Sequence, residues 1–307
     1  MDCIHIPVMT REVCELFDVE SGGNFVDCTV GLGGHAEAIL SANPKSTLLG
    51  LDRDSSALDI AKKRLSHFGE RVSFLKCNFK DVDFWKKELK NAPTGILVDL
   101  GISSLQLEEG RGFSFKDSLS LDMRMDRSQG MTALEFVNKA NQDEIASVLK
   151  EFGEVENSRK LAKEIVEYRK TKAIESGEEL GRIVERCSPK GKRDKIHPAT
   201  KVFQALRIFL NEEICNLDSF LKEAVKLLAS SGKIIVISYH SLEDRIVKKT
   251  FAELKKGCIC PPRLPICGCG LKPLFSHISK NPLRPSLEEV LRNNSSRSAK
   301  LRYGVKV

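Results

Sequence analysis

The chain has 307 residues, 41% hydrophobic and 30% charged, with a formal net charge of +7. That is the balance of a globular protein with a full core, long enough for two domains or for one domain with a large insertion. No run of about 18 apolar residues exists, so no membrane span is expected, and the positive charge permits a polyanionic partner without requiring one.

Thr10 to Phe17 has helical spacing, with Val13, Leu16 and Phe17 on one side and Thr10 as N-cap. Phe25 to Val30 reads as a first buried strand, followed by a glycine turn and a helix from His35. Thr47 to Asp52 reads as a second strand, and Ser55 to Phe68 as an amphipathic helix. Val72 to Lys76 is the third strand. Gly95 to Leu100 is the fourth, apolar enough to be buried on both faces. The helix Leu217 to Leu228 ends at Ser230-Ser231-Gly232 and leads into the fifth strand, Lys233 to Ser238. Lys300 to Lys306 reads as a final edge strand. This alternation predicts an α/β doubly wound parallel sheet. More than 100 residues separate strands four and five, where a crossover needs about 10 to 15. The helical periodicity from Met131 to Asn211 predicts an inserted helical domain. The expected division is therefore 1–130 and 212–307 for the core, and 131–211 for the insertion.

The first strand runs into Gly31, Gly33 and Gly34 and then into a helix. This is the arrangement of a nucleotide-cofactor cradle, where glycine lets backbone approach a ligand and a helix start offers N–H groups. Gly31, Gly33 and Ala36 satisfy G-x-G-x-x-G/A, so NAD has to be considered. Asp52, ending strand two, suits the ribose of either NAD or S-adenosylmethionine (AdoMet). Asp27, four residues before the first glycine, favours AdoMet, which carries an ammonium and a sulfonium. Ligands bind such sheets at the carboxyl ends of the strands. The polar groups there are Gly31 to His35, Asp52, Asn78-Phe79, Asp99 to Ser104, and Ser238 to Ser241. Phe79 is placed to stack on an adenine, and Asp99 to meet a methyl acceptor.

The stretches V-D-C-T-V-G-L-G-G-H, L-D-R-D, D-L-G-I-S-S-L-Q-L, R-G-F-S-F, L-D-M-R-M-D, H-P-A-T-K-V-F-Q-A-L-R-I, S-Y-H-S-L-E-D-R-I-V-K and R-S-A-K-L-R closely resemble the bacterial rRNA small-subunit methyltransferase H family, also called MraW. The resemblance runs from His5 to about Val307. It implies a Rossmann-like class I AdoMet-dependent methyltransferase sheet with an inserted helical domain. It also implies methylation of N4 of a cytidine in the decoding region of small-subunit (16S) rRNA. The implied AdoMet contacts fall on Gly33, Gly34, His35, Asp52, Phe79, Asp99 and Gln106. The implied partner is small-subunit rRNA or the small ribosomal subunit, in the cytoplasm and away from membranes; a homodimer is compatible with it.

The exocyclic amine of cytosine is a poor nucleophile, because its lone pair is delocalised into the ring. It needs a hydrogen-bond acceptor that localises the pair and takes a proton. Asp99 is the first candidate, with Ser103 or Ser104 to orient the base. Amino-methyltransferases usually carry an Asn or Asp/Ser-Pro-Pro-aromatic motif here; this chain has Asp99-Leu100-Gly101-Ile102. His240 can bind the target or relay a proton, or simply hold its loop. Arg124 can reach RNA or form an ion pair with a neighbouring aspartate. From Arg186 to Arg207 the chain carries Arg186, Lys190, Lys192, Arg193, Lys195, Lys201 and Arg207 against one acid, Asp194. Lys190, Lys192, Arg193 and Lys195 are the expected phosphate contacts.

Without a secretory signal at Met1-Asp2-Cys3-Ile4-His5, the ten cysteines read mainly as reduced thiols. Cys258, Cys260, Cys267 and Cys269 lie close enough in sequence to hold zinc. C-x-C is less usual for that than C-x-x-C, and no metal ligand is assigned from the sequence.

Overall fold

The computed structural model describes residues 6–103, 106–107, 110–188, 197–258, 260 and 268–307. The chain forms two compact units: Met1–Gly101 with Asn216–Val307, and Ile102–Cys215.

The first unit opens with α1 (Thr10–Phe17). Thr10 lies inside this helix rather than at its cap. Its hydroxyl donates to the Pro7 carbonyl at 3.0 Å. Then come β1 (Asn24–Asp27), α2 (Gly34–Ala42), β2 (Thr47–Asp52), α3 (Ser55–Arg64), β3 (Val72–Lys76), the short α4 (Val82–Trp85) and β4 (Gly95–Asp99). In the second unit the chain forms α5 (Ala133–Lys139), α6 (Gln142–Gly153), α7 (Ser158–Thr171), α8 (Gly177–Cys187) and α9 (Pro198–Leu210). It returns to the first unit through α10 (Leu217–Leu227), β5 (Lys233–Ser238), α11 (Ser241–Lys256), β6 (Phe275–Ile278), α12 (Leu287–Arg292) and β7 (Lys300–Lys306).

The sheet has seven strands in the order β3-β2-β1-β4-β5-β7-β6. β1 to β5 are parallel neighbours, whereas β7 runs antiparallel to β5 and β6 antiparallel to β7. Successive strand residues feed opposite faces. Val26, Leu49, Ile96 and Ile234 pack with Phe220 and Leu221 of α10 and Phe251 of α11. Phe25, Leu48, Leu97 and Ile235 pack with Val13 and Phe17 of α1 and Ile39 and Leu40 of α2. Burial on both faces explains why these strands read as continuous apolar runs. The last strand departs from the sequence expectation. β7 is interior, and the edge belongs to β6, whose F-S-H-I is too short and polar to stand out.

The helical unit is larger than its periodic stretch. Leu161, Ile165, Leu180, Ile183, Val202 and Leu206 form its centre, and Phe113, Leu121, Met123 and Met125 join the same core. Asn211 ties this stretch to the end of α9: its amide group donates to the Met123 carbonyl and accepts from the Met125 N–H, both at 2.8 Å. The unit therefore begins at Ile102 rather than near residue 131. The described residues between 110 and 130 form no helix or strand, so periodicity could not assign them to either unit. Among the described residues, no helix is long and apolar enough to cross a membrane.

Candidate active site

The strand order reverses between β1 and β4, which is where doubly wound sheets open a crevice at their carboxyl ends. Asp27 ends β1 and is 1% exposed. Its Oδ1 accepts the Thr29 N–H at 3.1 Å, and its Oδ2 is buried without a hydrogen-bond partner among the described residues. Burial, opposed by His35, pushes this carboxyl up to about 7. The Thr29 hydroxyl in turn accepts the Asp99 N–H at 2.7 Å, joining the ends of β1 and β4.

The glycine turn follows. The Gly31 N–H donates to Asp52 Oδ2 at 3.0 Å, and the Asp54 N–H donates to Asp52 Oδ1 at 2.9 Å. Burial pushes the Asp52 carboxyl above its ordinary value, with these two amides opposing. Gly33 has φ +83°, and a Cβ there would lie 3.1 Å from Leu65 Cδ1. Both facts favour glycine at this position. α2 starts at Gly34 and carries His35 in its first turn, 6% exposed. Neither ring nitrogen of His35 has a hydrogen-bond partner among the described residues, and Nε2 stands 3.6 Å from Asp99 Oδ2.

Asp99 ends β4, with its side chain 20% exposed. Its Oδ1 accepts the Tyr239 hydroxyl at 2.8 Å. Burial and the Asp99 charge push the Tyr239 phenol well above its ordinary value, so it stays a donor. Gly101 covers the Tyr239 ring, with φ +107° and an ideal Cβ 3.3 Å from Tyr239 Cδ2. Glu243 fixes the turn that carries Tyr239. It is 1% exposed, and its Oε2 accepts the Tyr239 N–H at 2.9 Å.

His240 is the N-cap of α11. Its Nδ1 accepts the Glu243 N–H at 3.4 Å, while Glu243 reaches back to the His240 N–H in a reciprocal cap. This geometry favours the loop-holding role over a chemical one. The Phe79 ring is 7% exposed and packs edge-on against Phe220 at 4.7 Å between centroids. It is a core side chain rather than an open stacking platform, and its carbonyl accepts the Trp85 indole N–H at 2.7 Å.

The remaining candidates belong to the second unit. The Ser103 N–H donates to Gln106 Oε1 at 3.3 Å, and the Gln106 N–H donates to Ser103 Oγ at 3.4 Å. Gln106 is buried. Arg124 forms the ion pair: Nε and Nη2 donate to the two Asp122 oxygens at 2.6 and 3.0 Å. Burial opposes ionisation of Asp122, yet the Arg124 hydrogen bonds hold its carboxyl below the ordinary range. Arg207, part of the basic run in the sequence, is held by both oxygens of Glu213. Ser104, Lys190, Lys192, Arg193, Lys195 and Cys267 lie outside the described residues.

The sequence does not single out Thr29, Tyr239 or Glu243 for a role. Tyr239 stands inside the S-Y-H-S-L-E-D-R stretch, between more conspicuous neighbours. Its role depends on the pairing of Asp99 with Ile237 across β4 and β5, which brings distant residues together.

A glycine cradle, acids at the ends of β1, β2 and β4, and an antiparallel seventh strand define a class I AdoMet-dependent methyltransferase. The profile of the MraW methylase family matches residues 2–307, and the chain belongs to that family. It is 44% identical over 307 residues to the ribosomal RNA small subunit methyltransferase H of Symbiobacterium thermophilum, covering 99% of this chain and 96% of that one. The protein of the same name from Sulfurihydrogenibium sp. is 44% identical over 305 residues, covering 99% of each. That of Syntrophotalea carbinolica is 45% identical over 302 residues, covering 97% and 96%. AdoMet rather than NAD is thus the cofactor. The rim fits it: Asp27 Oδ2, buried without a hydrogen-bond partner among the described residues, is an acceptor for a cationic group beside a cradle that admits backbone approach at Gly33.

Proposed function

We propose that this chain methylates N4 of a cytidine in the decoding region of small-subunit rRNA, with Asp99 as the acceptor for the attacking amine. The observation that carries this reading is the divided Asp99 carboxylate. Oδ1 is committed to the Tyr239 hydroxyl, while Oδ2 stands 3.6 Å from His35 Nε2, beyond hydrogen-bond range. Oδ2 accepts an amine hydrogen, localises the nitrogen lone pair, and receives the proton as the new bond forms. Tyr239 keeps the carboxylate from turning away, and Thr29 fixes the Asp99 main chain beneath it. The names of the relatives, which specify ribosomal RNA of the small subunit, support the substrate.

AdoMet supplies the electrophilic methyl group. Gly33 and Gly34 would admit its amino acid end, His35 and Asp99 would border it, and Asp52 would accept ribose hydroxyls. Phe79 would border the adenine by its edge, and Gln106 is the further contact that the family pattern implies. Asp52 retains lone pairs for the ribose, since a carboxylate oxygen has two and one backbone N–H engages each oxygen. Ser103 would orient the target base. Lys190, Lys192, Arg193 and Lys195 would meet RNA phosphates from the helical unit, which would serve as the substrate-recognition domain. Few aromatics accompany them, so backbone and shape would dominate recognition. The target base must leave its stack to reach the rim. With a ribosomal substrate the enzyme works in the cytoplasm.

The test is to incubate small ribosomal subunits from a strain lacking this activity with the protein and methyl-labelled AdoMet, then identify the labelled nucleoside by mass spectrometry. Label on N4 of cytidine is expected. Label on ribose or on another base would overturn the assignment.

A further inference from the structure

We propose that Cys258, Cys260 and Cys269 form a thiolate site for a zinc ion at the end of α11 remote from the methyl-transfer rim. The three Sγ atoms all lie within 4.8 Å of one another, and those of Cys258 and Cys269 are 3.7 Å apart. A disulfide needs about 2.05 Å. Thiolates on a tetrahedral zinc, with Zn–S near 2.3 Å, stand about 3.8 Å from each other along the edges of the tetrahedron. The Cys258–Cys269 separation matches that edge, and the third thiol lies within 4.8 Å of both.

The thiols come from two chain segments that the fold itself brings together. Cys258 and Cys260 follow the last turn of α11, and Cys269 precedes β6. The base of the loop is closed by main-chain bonds: Leu274 N–H donates to Leu254 O at 2.9 Å, and Cys258 N–H to Lys256 O at 2.8 Å. β6 beyond it is held in the sheet by β7. An ion therefore has little chain to gather, which limits the entropy it must overcome. All three cysteines are half-buried, shielded yet reachable.

Soft sulfur donors select zinc over magnesium or calcium. Each thiol gives up its proton as it binds, so affinity falls in acid. Lys255, Lys256 and Lys272 lie close to the cysteines in sequence, so the segment carries charge opposite in sign to that of a multi-thiolate centre. α11 has 16 residues, about 24 Å of helix, and its other end carries His240 at the rim. The site is thus structural: it would clip the end of α11 to the edge of the sheet. Cys267, two positions before Cys269, lies outside the described residues; the proposal rests on the other three.

The test uses full-length protein purified without an affinity tag or chelator, with metals measured by inductively coupled plasma mass spectrometry. About one zinc per chain is expected, with essentially none in Cys258→Ser or Cys269→Ser. Zinc retained in both variants, iron in its place, or wild-type protein that neither contains nor takes up zinc would overturn the proposal. Should the variants fail to fold, cobalt substitution of the wild type decides. Thiolate-to-cobalt charge-transfer absorption with the strong visible bands of a tetrahedral site is expected, and a spectrum of octahedral aqueous-type cobalt refutes it.

Discussion

The Tyr239 hydroxyl donates to Asp99 Oδ1 at 2.8 Å, across the junction where β4 and β5 end. One carboxylate oxygen is thereby fixed and the other faces the rim beside His35. A hydrogen bond to a charged group is worth about 1.5–3 kcal/mol. Tyr239→Phe should therefore lower kcat roughly 10- to 100-fold, with AdoMet affinity nearly unchanged. Calorimetric titration with AdoMet alongside single-turnover kinetics separates the two. Equal losses in cofactor binding and rate would mean that Tyr239 supports the pocket, not the acceptor.

Asp27 should make stability depend on pH. Its folded carboxyl is pushed up to about 7 from an ordinary value of 3.8. A group raised on folding favours the folded state below its unfolded pKa, and that contribution is lost as pH climbs through the folded one. Asp27→Asn keeps the acceptor for Thr29 and never ionises. Its melting temperature relative to wild type should be higher at pH 8 than at pH 5, measured without cofactor. A difference that is the same at both pH values contradicts the assigned burial cost.

His240 is predicted to act through its cap. His240→Asn replaces one N-cap with a strong one and removes the imidazole, so activity should stay within a few-fold of wild type. His240→Ala should cost about 1 kcal/mol of stability. Thermal denaturation and turnover on small subunits read both. A large rate loss in the Asn variant, with stability intact, would assign His240 to the chemistry instead.

Gly33→Ala should weaken AdoMet binding more than it destabilises the fold. The left-handed backbone and the nearby Leu65 together disfavour a Cβ by about 1–2 kcal/mol, and the same turn shapes the cradle. Calorimetry against the melting shift compares the two effects. Undiminished AdoMet affinity would remove this turn from the binding site.

Neutralising Lys190, Lys192, Arg193 and Lys195 together should weaken binding to rRNA and flatten its dependence on salt. The log–log slope should fall by about 0.7 to 0.9 for each phosphate that these side chains neutralise. An unchanged slope would show that they meet no phosphate.

Much of the sheet could be read from sequence because strands such as Gly95–Asp99 and Lys233–Ser238 are buried on both faces and remain apolar throughout. The order of the last two strands could not. Phe275–Ile278 exposes two of its four positions, and pairing is a non-local property. The boundary at Ile102 was hidden for a related reason: Phe113, Leu121, Met123 and Met125 enter a core without a helical or strand period. At the site, the glycines and acids are local signals and were visible. The Thr29–Asp99–Tyr239 connection joins three strand ends and exists only once β1, β4 and β5 are adjacent. Arg124 and His240 show the converse, since residues conspicuous in sequence prove to be engaged by Asp122 and Glu243.

The most direct measurement is single-turnover methyl transfer to unmethylated small subunits by wild type and Asp99→Asn, with AdoMet affinity determined for both. The prediction is N4-methylcytidine from the wild type and a rate lower by at least about 100-fold in the variant, with cofactor still bound. A variant that binds AdoMet and methylates the same cytidine at a near wild-type rate would contradict the role given to Asp99.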